Sequence, residues 1–213
     1  MGFVMLGIST LTETGINAAL FGMVAHGLIT GMLFFVAGSV KHRYHTLEIQ
    51  RLSGMLIQMP RMGWILGFSA MASLGLPGLA GFWGEFPALL AAWNPNDVLL
   101  GDSEALYRTL TVIAALGTVF AAAYLLWLYQ RTAFGEPSEE FMPHGGASAH
   151  SLSAAANDEH GEADIHDVTP IEWIAWTPFL AAIVVFGVYP QLMFKVMDPA
   201  VTQLVKTITA GAQ

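Results

Sequence analysis

The stretch "LGLPGLAGFWGEF", residues 74–86, interrupts a long apolar segment of this sequence. The segment runs from Met62 to Trp93, and its one charged residue is Glu85. It is longer than the roughly 20 residues that a helix needs to cross a bilayer. Pro77 lacks the N–H group that a continuous helix uses and clashes with the preceding turn. The sequence therefore predicts a transmembrane helix that is broken near its middle, with a carboxyl group beyond the break.

Four glycines surround Pro77, and they predict that the break covers residues 75–84. Backbone groups freed by a break must be bound by other protein groups or by water, because hydrocarbon offers no partner. Broken helices of this kind line ion paths in transporters, and water in such a path would also solvate Glu85. Glu85 is therefore a candidate proton site; the alternative is a structural carboxyl group that stays protonated or pairs with a basic residue. The residues predicted to line the path are Gly75, Pro77, Gly78, Gly81 and Gly84.

The composition indicates an integral membrane protein. Of the 213 residues, 54% are hydrophobic and only 11% are charged, whereas soluble domains have about 25% charged residues. The mean hydropathy is +0.56. The absence of cysteine excludes disulfides, thiol chemistry and cysteine metal sites. No basic patch is present, which argues against a nucleic-acid partner.

Hydropathy predicts an all-α bundle of membrane-spanning helices in three regions. Residues 1–134 hold the end of one transmembrane helix, which we expect to begin before Met1, and three full spans. Residues 135–169 form a loop, and residues 170–213 hold the last span and an amphipathic helix at the membrane surface. The chain is thus predicted to be the C-terminal part of a longer membrane protein. The predicted full spans are 15–40, 62–93, 109–130 and 173–194.

Lysine and arginine residues predict the orientation, because cytoplasmic loops carry an excess of them. The side that holds the loop 41–61 has more of these residues than the opposite side. Loops 41–61 and 135–169 are therefore predicted to be cytoplasmic in a multi-pass protein of the bacterial plasma membrane. The basic residues on the loop side are Lys41, Arg43, Arg51, Arg61 and Arg131.

The segment 135–169 differs in composition from the rest of the chain. It is rich in Ser, Ala, Gly and acidic residues and has no lysine or arginine. Such a segment buries too little apolar surface to offset its ordering entropy, so it is predicted to be a flexible, solvated loop. A metal site is the alternative, but the spacing of the candidate ligands is irregular and we expect none. The candidate ligands are the four histidines of this segment, His144, His150, His160 and His166.

His26 lies near the middle of the first predicted span. Ionisable side chains at membrane depth are costly and usually face a bundle interior or a water-filled cavity. Two interpretations remain open from the residues alone. His26 either relays protons within a hydrated chain, or it is a neutral histidine that is hydrogen-bonded across a helix interface.

Two motifs resemble a known family. "MVAHGLITGMLFFVAGSVKHRYHT", residues 23–46, and "MASLGLPGLAGFWGEF", residues 71–86, are similar to the eleventh and twelfth helices of antiporter-like chain M (chain 4) of NADH:quinone oxidoreductase, respiratory complex I. The His-Gly, His-Thr and Gly-Glu-Phe elements occur together and in order. The resemblance covers 1–134 and, more weakly, 170–213.

The resemblance implies a subunit of 14 helices with two inverted repeats, each with a broken helix, and a surface helix at its end. It assigns His26 to a central hydrophilic axis and Glu85 to the terminal proton site near the outer side. The sister chains carry lysine at the position of Glu85. The family's first-half glutamate, channel lysines and first broken helix are absent from this sequence, which would provide only the outer half of a proton channel.

The resemblance also implies the partners and cofactors of the chain. The partners would be the neighbouring antiporter-like and small membrane subunits of complex I, the lipid bilayer, protons and water. No cofactor is expected in this chain, because NADH, FMN, the iron–sulfur clusters and quinone would bind to other subunits. The chain would be a non-redox part of a proton-translocating enzyme.

Three functions therefore remain in competition. The first is a proton-pumping subunit of NADH:quinone oxidoreductase. The second is a subunit of a multisubunit cation/proton antiporter or of a membrane-bound hydrogenase. The third is a membrane anchor or scaffold without a proton path.

Overall fold

The computed structural model describes residues 1–101, 103–141 and 165–211, and within them the fold is a bundle of α-helices without strands. One short 3₁₀ turn, Glu139–Phe141, follows the seventh helix. The α-helices are α1 (Gly2–Ser9), α2 (Glu13–Tyr44), α3 (Met55–Gln58), α4 (Pro60–Ser73), α5 (Ala80–Trp93), α6 (Asp97–Leu100), α7 (Glu104–Ala133), α8 (Pro170–Val188) and α9 (Gln191–Gly211).

The helix α2 is the centre of the bundle, and α1, α4, α5, α8 and α9 all pack against it. Its inner face places Phe21 and Met32 in a core that also includes Met62 of α4 and Ile183 of α8. In the described part of the chain, α2, α7 and α8 are long and apolar enough to cross a membrane. The helices α4 and α5 have 14 residues each and follow one another as the two halves of a broken span. This architecture confirms the predicted all-α membrane bundle.

The two ends of the bundle are defined by its connections. Residues 9–12 meet residues 94–101 and 103 at one end, where Asn96 Nδ2 donates to the carbonyl oxygen of Leu11 at 3.2 Å. Residues 45–59 meet residues 134–141 at the other end, where Gly54 N–H donates to the carbonyl oxygen of Phe134 at 3.2 Å. We call these ends the 94–103 side and the 45–59 side.

Side-chain caps explain where two long helices begin. The Thr12 hydroxyl oxygen accepts a hydrogen bond from the backbone of Gly15 at the start of α2. At the start of α8, Thr169 and Glu172 form a capping box in which each side chain accepts from the backbone of the other residue. Such caps bind N–H groups that the first helical turn leaves without a partner.

The last predicted span ends earlier than the sequence indicated. We predicted a span over 173–194 followed by a surface helix, but α8 ends at Val188 and α9 already begins at Gln191. The residue before a proline avoids the helical conformation, so the Tyr189–Pro190 pair ends the span. Pro199 lies inside α9 without ending it.

The start of the segment predicted to be a flexible loop, 135–169, is packed against the bundle. The ring of Phe141 is 4.9 Å from the ring of Tyr44 in an edge-on arrangement. The carbonyl oxygen of Phe141 accepts from Gln58 Nε2 at 2.8 Å. Arg51 pairs with Glu140, and this hydrogen bond holds the pKa of the exposed Glu140 carboxyl group below its usual range.

The end of the same segment, residues 165–169, is also packed. Arg43 is 2% exposed, and its Nε donates to the carbonyl oxygen of His166 at 2.7 Å. The carboxylate of Asp167 accepts from the backbone N–H groups of Arg61 at 3.1 Å and Met62 at 3.2 Å, which caps α4.

The loop prediction was therefore wrong for both flanks, because hydrogen bonds and the buried side chains of Phe141 and Val168 hold them on the bundle. His144, His150 and His160 lie outside the described residues. The absence of a metal site among them stays a prediction.

We expect that Arg43→Met lowers the free energy of unfolding by about 3 kcal/mol, because it leaves a partly buried carboxylate without its cation. Arg43 Nη2 is 2.7 Å from Glu172 Oε2, and Glu172 is 20% exposed. The thermal midpoint and yield of the assembled membrane complex measure the loss. Arg43→Met/Glu172→Gln removes the unpaired charge and should recover most of the midpoint. Equal midpoints for wild type and Arg43→Met would contradict this role.

Candidate functional site

The break between α4 and α5 covers Leu74–Leu79. The backbone N–H of Leu74 still donates to the carbonyl oxygen of Ala70 at 3.0 Å, which closes the last turn of α4. Gly75 then adopts a φ of +67°, the left-handed conformation in which glycine commonly ends helices. Gly78 has a φ of +94°, and Leu79 N–H donates to Leu76 O at 3.0 Å. Glycine conformations and Pro77 together make two tight turns between the half-helices.

Glu85 reaches back to this break from the second turn of α5. Its side chain is partly buried. A methyl group built on Gly75 would lie 2.7 Å from Glu85 Oε2, so the carboxyl group occupies the space beside the glycine backbone. Side chains on a helix lean toward its N-terminus, which explains why Glu85 returns to the preceding break. The structure thus brings together the carboxyl group and Gly75, two of the residues that the sequence singled out.

Gly81 and Gly84 do not belong to the break, contrary to the predicted limits of 75–84. Both lie inside α5. A methyl group on Gly81 would overlap the carbonyl oxygen of Ala72 in α4. A methyl group on Gly84 would lie 2.5 Å from the Cα atom of Gly22 in α2. These two glycines therefore permit close approach of backbones, and the even spacing of the four glycines obscured this difference.

The sequence analysis missed the contacts that fix the second half-helix. Trp83 Nε1 donates to the carbonyl oxygen of Gly187, at the end of α8, at 2.7 Å. The backbone of Gly187 also lies against Gly78 O and Leu79 Cα, where a side chain would overlap them. The ring of Phe194 in α9 is 6.3 Å from the ring of Trp83. The corner between α8 and α9 thus holds the break and the start of α5.

His26 lies on an exposed face of α2. Its side chain is exposed in the described part of the chain, and Thr30 Oγ1 is 3.4 Å from each of its ring nitrogens. No hydrogen bond joins it to Glu85 within residues 1–101, 103–141 and 165–211. The structure therefore does not bring the two predicted proton-relay residues into contact.

Two polar side-chain atoms are buried without a hydrogen-bond partner among the described residues. These atoms are Asn17 Oδ1 and Ser69 Oγ. The nitrogen of the same Asn17 amide does have a partner, since Nδ2 donates to Asp198 Oδ1 of α9 at 2.8 Å. Buried polar atoms are rarely left without a partner, so both positions suit bound water.

Comparison with known proteins gives consistent results. The family model described as "NADH:quinone oxidoreductase/Mrp antiporter, TM" matches residues 1–104. NADH-quinone oxidoreductase subunit M of Rhodobacter capsulatus is 33% identical over 210 residues, which cover 99% of this chain and 35% of that protein. NAD(P)H-quinone oxidoreductase chain 4 2 of Microcystis aeruginosa is 33% identical over 219 residues, covering 100% of this chain and 37% of that protein. The chain spans about a third of the length of these relatives.

Two solved structures share the fold. A chain of respiratory complex I from Thermus thermophilus aligns with a TM-score of 0.74 and 27% identity, over 96% of this chain and 36% of that chain. A chain of the Mrp complex from Dietzia aligns with a TM-score of 0.72, over 98% of this chain and 41% of that chain. Its identity is 18%, so this second likeness concerns the fold alone.

Proposed function

We propose that the chain belongs to the antiporter-like transmembrane family of NADH:quinone oxidoreductase and Mrp antiporter subunits, and that it moves protons as part of a membrane-arm subunit of NADH:quinone oxidoreductase. One observation carries this proposal. The carboxyl group of Glu85 lies against the backbone of a broken transmembrane helix, beside Gly75. A group that binds and releases protons, placed at membrane depth beside an irregular backbone, is suited to proton transfer.

Glu85 would act as the terminal proton site of the path. It lies roughly 12 Å before Trp93 along α5, so it is nearer to the 94–103 side than to the 45–59 side. Its carboxylate would accept a proton from a hydrated path inside the subunit and release it toward the 94–103 side. The irregular backbone of Leu74–Leu79 would bind the water that connects these steps.

His26 would stand earlier in this path. The face of α2 that carries His26 and Thr30 is open in the described part of the chain, and longer relatives have further sequence that can cover such a face. Water between His26 and the break would then carry protons toward Glu85.

The chain would work as a non-redox part of the complex. NADH, FMN, the iron–sulfur clusters and quinone would bind to other subunits. The neighbours of this chain would be other antiporter-like and small membrane subunits. In a bacterial plasma membrane the 45–59 side would face the cytoplasm, because most of the lysine and arginine residues lie there.

The second candidate is a subunit of a cation/proton antiporter. The family model covers both kinds of protein, and the likeness to the Mrp chain shows that one fold serves both. The names of the relatives that are 33% identical favour the oxidoreductase.

Everted membrane vesicles test the proposal. We would delete the gene segment for this chain in its host and follow acidification of the vesicle interior with a pH-sensitive dye. NADH-driven acidification should be lost and should return with the wild-type gene, while succinate-driven acidification serves as the control for vesicle integrity. Normal NADH-driven acidification with loss of sodium/proton exchange would instead identify an antiporter subunit.

We expect that His26→Ala lowers proton translocation about tenfold and that His26→Gln lowers it less, because glutamine keeps a polar side chain that can hold water in the path. Each rate is divided by the amount of assembled complex on a native gel. Thr30→Val, which removes the neighbouring hydroxyl group, is the control for local polarity and should have a milder effect. A rate that falls only in step with the amount of complex would assign His26 a structural role.

A further inference from the structure

A groove of about 710 Å³ runs between α4 and α8 on the outer surface of the bundle. Its walls are almost entirely apolar, and its one charged residue is Arg61. The side chain of Trp64 in this groove is 69% exposed. The residues that define its course are Arg61, Trp64 and Phe68 of α4 and Trp173, Leu180 and Val184 of α8.

The groove has a direction relative to the membrane. The helices α4 and α8 both begin on the 45–59 side, where Asp167 caps α4 and Thr169 caps α8. Arg61 and Trp173 therefore lie at its mouth, and Val184 lies roughly 16 Å deeper along α8. This depth matches one leaflet, which is about half of the 30 Å hydrocarbon core. A second transmembrane helix would need a groove about twice as deep.

The mouth of the groove favours a negative headgroup. The side chain of Arg61 is 65% exposed, and it pairs with Asp167 at a distance of 4.0 Å between Nε and Oδ2. The Asp167 oxygens already accept hydrogen bonds from two backbone N–H groups of α4. Most of the Arg61 donors therefore remain available, and the planar guanidinium group suits a phosphate. Trp173 at the same level is typical of the membrane interface.

We propose that this groove binds one anionic phospholipid, with an acyl chain between α4 and α8 and the phosphate at Arg61. Leaflet depth, apolar walls and one cation at the mouth are the three features that fit this ligand. The site is separate from the Glu85 path, and the proposal does not depend on the function assigned to that path.

Counting bound lipids tests the proposal on the intact membrane complex. The complex is purified in mild detergent, washed with phosphatidylcholine and then titrated with phosphatidylglycerol, while native mass spectrometry counts the bound molecules. Wild type should bind one phosphatidylglycerol more tightly than the rest. Arg61→Gln should weaken this binding about tenfold, because a charge-assisted hydrogen bond to phosphate is lost. The Asp167 cap of α4 should persist, since it uses the backbone of residue 61.

Two further variants complete the test. Ala181→Phe fills the groove without changing its charge and should also remove the tight site. Arg51→Gln is the matched control, because Arg51 is an exposed arginine on the same side and does not line the groove. Equal binding in the wild type and all three variants would mean that lipid binds to this groove without specificity, and it would overturn the proposal. A photoreactive residue at Val184 that cross-links to protein instead of lipid would also overturn it.

Discussion

Glu85→Gln is expected to reduce proton translocation at least about tenfold in the assembled complex, with electron transfer impaired as well. Glutamine keeps the size of the side chain beside Gly75, so the break should keep its shape. It has no proton to exchange in the physiological range, so transfer through this position stops. Electron transfer should also fall, because it is coupled to proton translocation and slows when one proton path cannot release its proton.

The measurement is the rate of proton translocation in proteoliposomes, divided by the amount of assembled complex. Glu85→Asp should retain part of the activity, because it keeps a titratable group but withdraws it by one methylene. Glu104→Gln is the matched control, since Glu104 is an exposed acid at the start of α7, paired with Arg108. A wild-type rate in Glu85→Gln would remove Glu85 from the proton path.

Gly84→Ala is expected to lower the yield of assembled complex severely, although it adds a single methyl group. That methyl would lie 2.5 Å from Gly22 Cα and 3.1 Å from Gly22 N. Backbone atoms of a packed helix cannot move aside as a flexible side chain does, so α5 must shift away from α2. Overpacking of this kind costs about 1–3 kcal/mol or more, and here it displaces the half-helix that carries Glu85.

The same contact supplies the control for this prediction. A methyl group on Gly22 would lie 3.4 Å from Gly84 Cα and 3.6 Å from Val4 Cγ2, which is ordinary contact distance. Gly22→Ala should therefore assemble almost normally, and the yield on native gels should separate the two variants. Equal yields would show that α2 and α5 adjust more easily than this geometry indicates.

The sequence was sufficient to locate the spans and the broken helix, although the last span ends at Val188 and not at residue 194. The hydrocarbon layer requires long apolar helices, and such helices are recognisable in the sequence as long segments of high hydropathy. The position of Pro77 was likewise enough to locate a break between two half-helices. Pattern alone did not give the limits of the break, because Gly75 provides a left-handed turn whereas Gly84 provides a helix contact. In the sequence the two residues cannot be distinguished, because both are glycines in a series with the same spacing.

The contacts that position the half-helix were not predictable from local pattern. Trp83 and Gly187 are far apart in the sequence, and their hydrogen bond depends on how α8 packs beside α5. The anchoring of His166 by Arg43 is similar, because it depends on how residues 165–169 pack beside α2 and not on a local pattern. His26 was correctly placed within a span, but its helix face emerged only from the packing of α2.

The two anchors at the end of α2 have a consequence for the evolution and engineering of the chain. Phe141 is held at Tyr44 and His166 is held at the adjacent Arg43, so the segment 142–164 connects two points that the bundle already keeps close. Both anchors are made by residues outside this segment, so a change in the number of residues between Phe141 and His166 would leave them in place. An affinity tag or a whole reporter domain could be accommodated there while α7 and α8 keep their places.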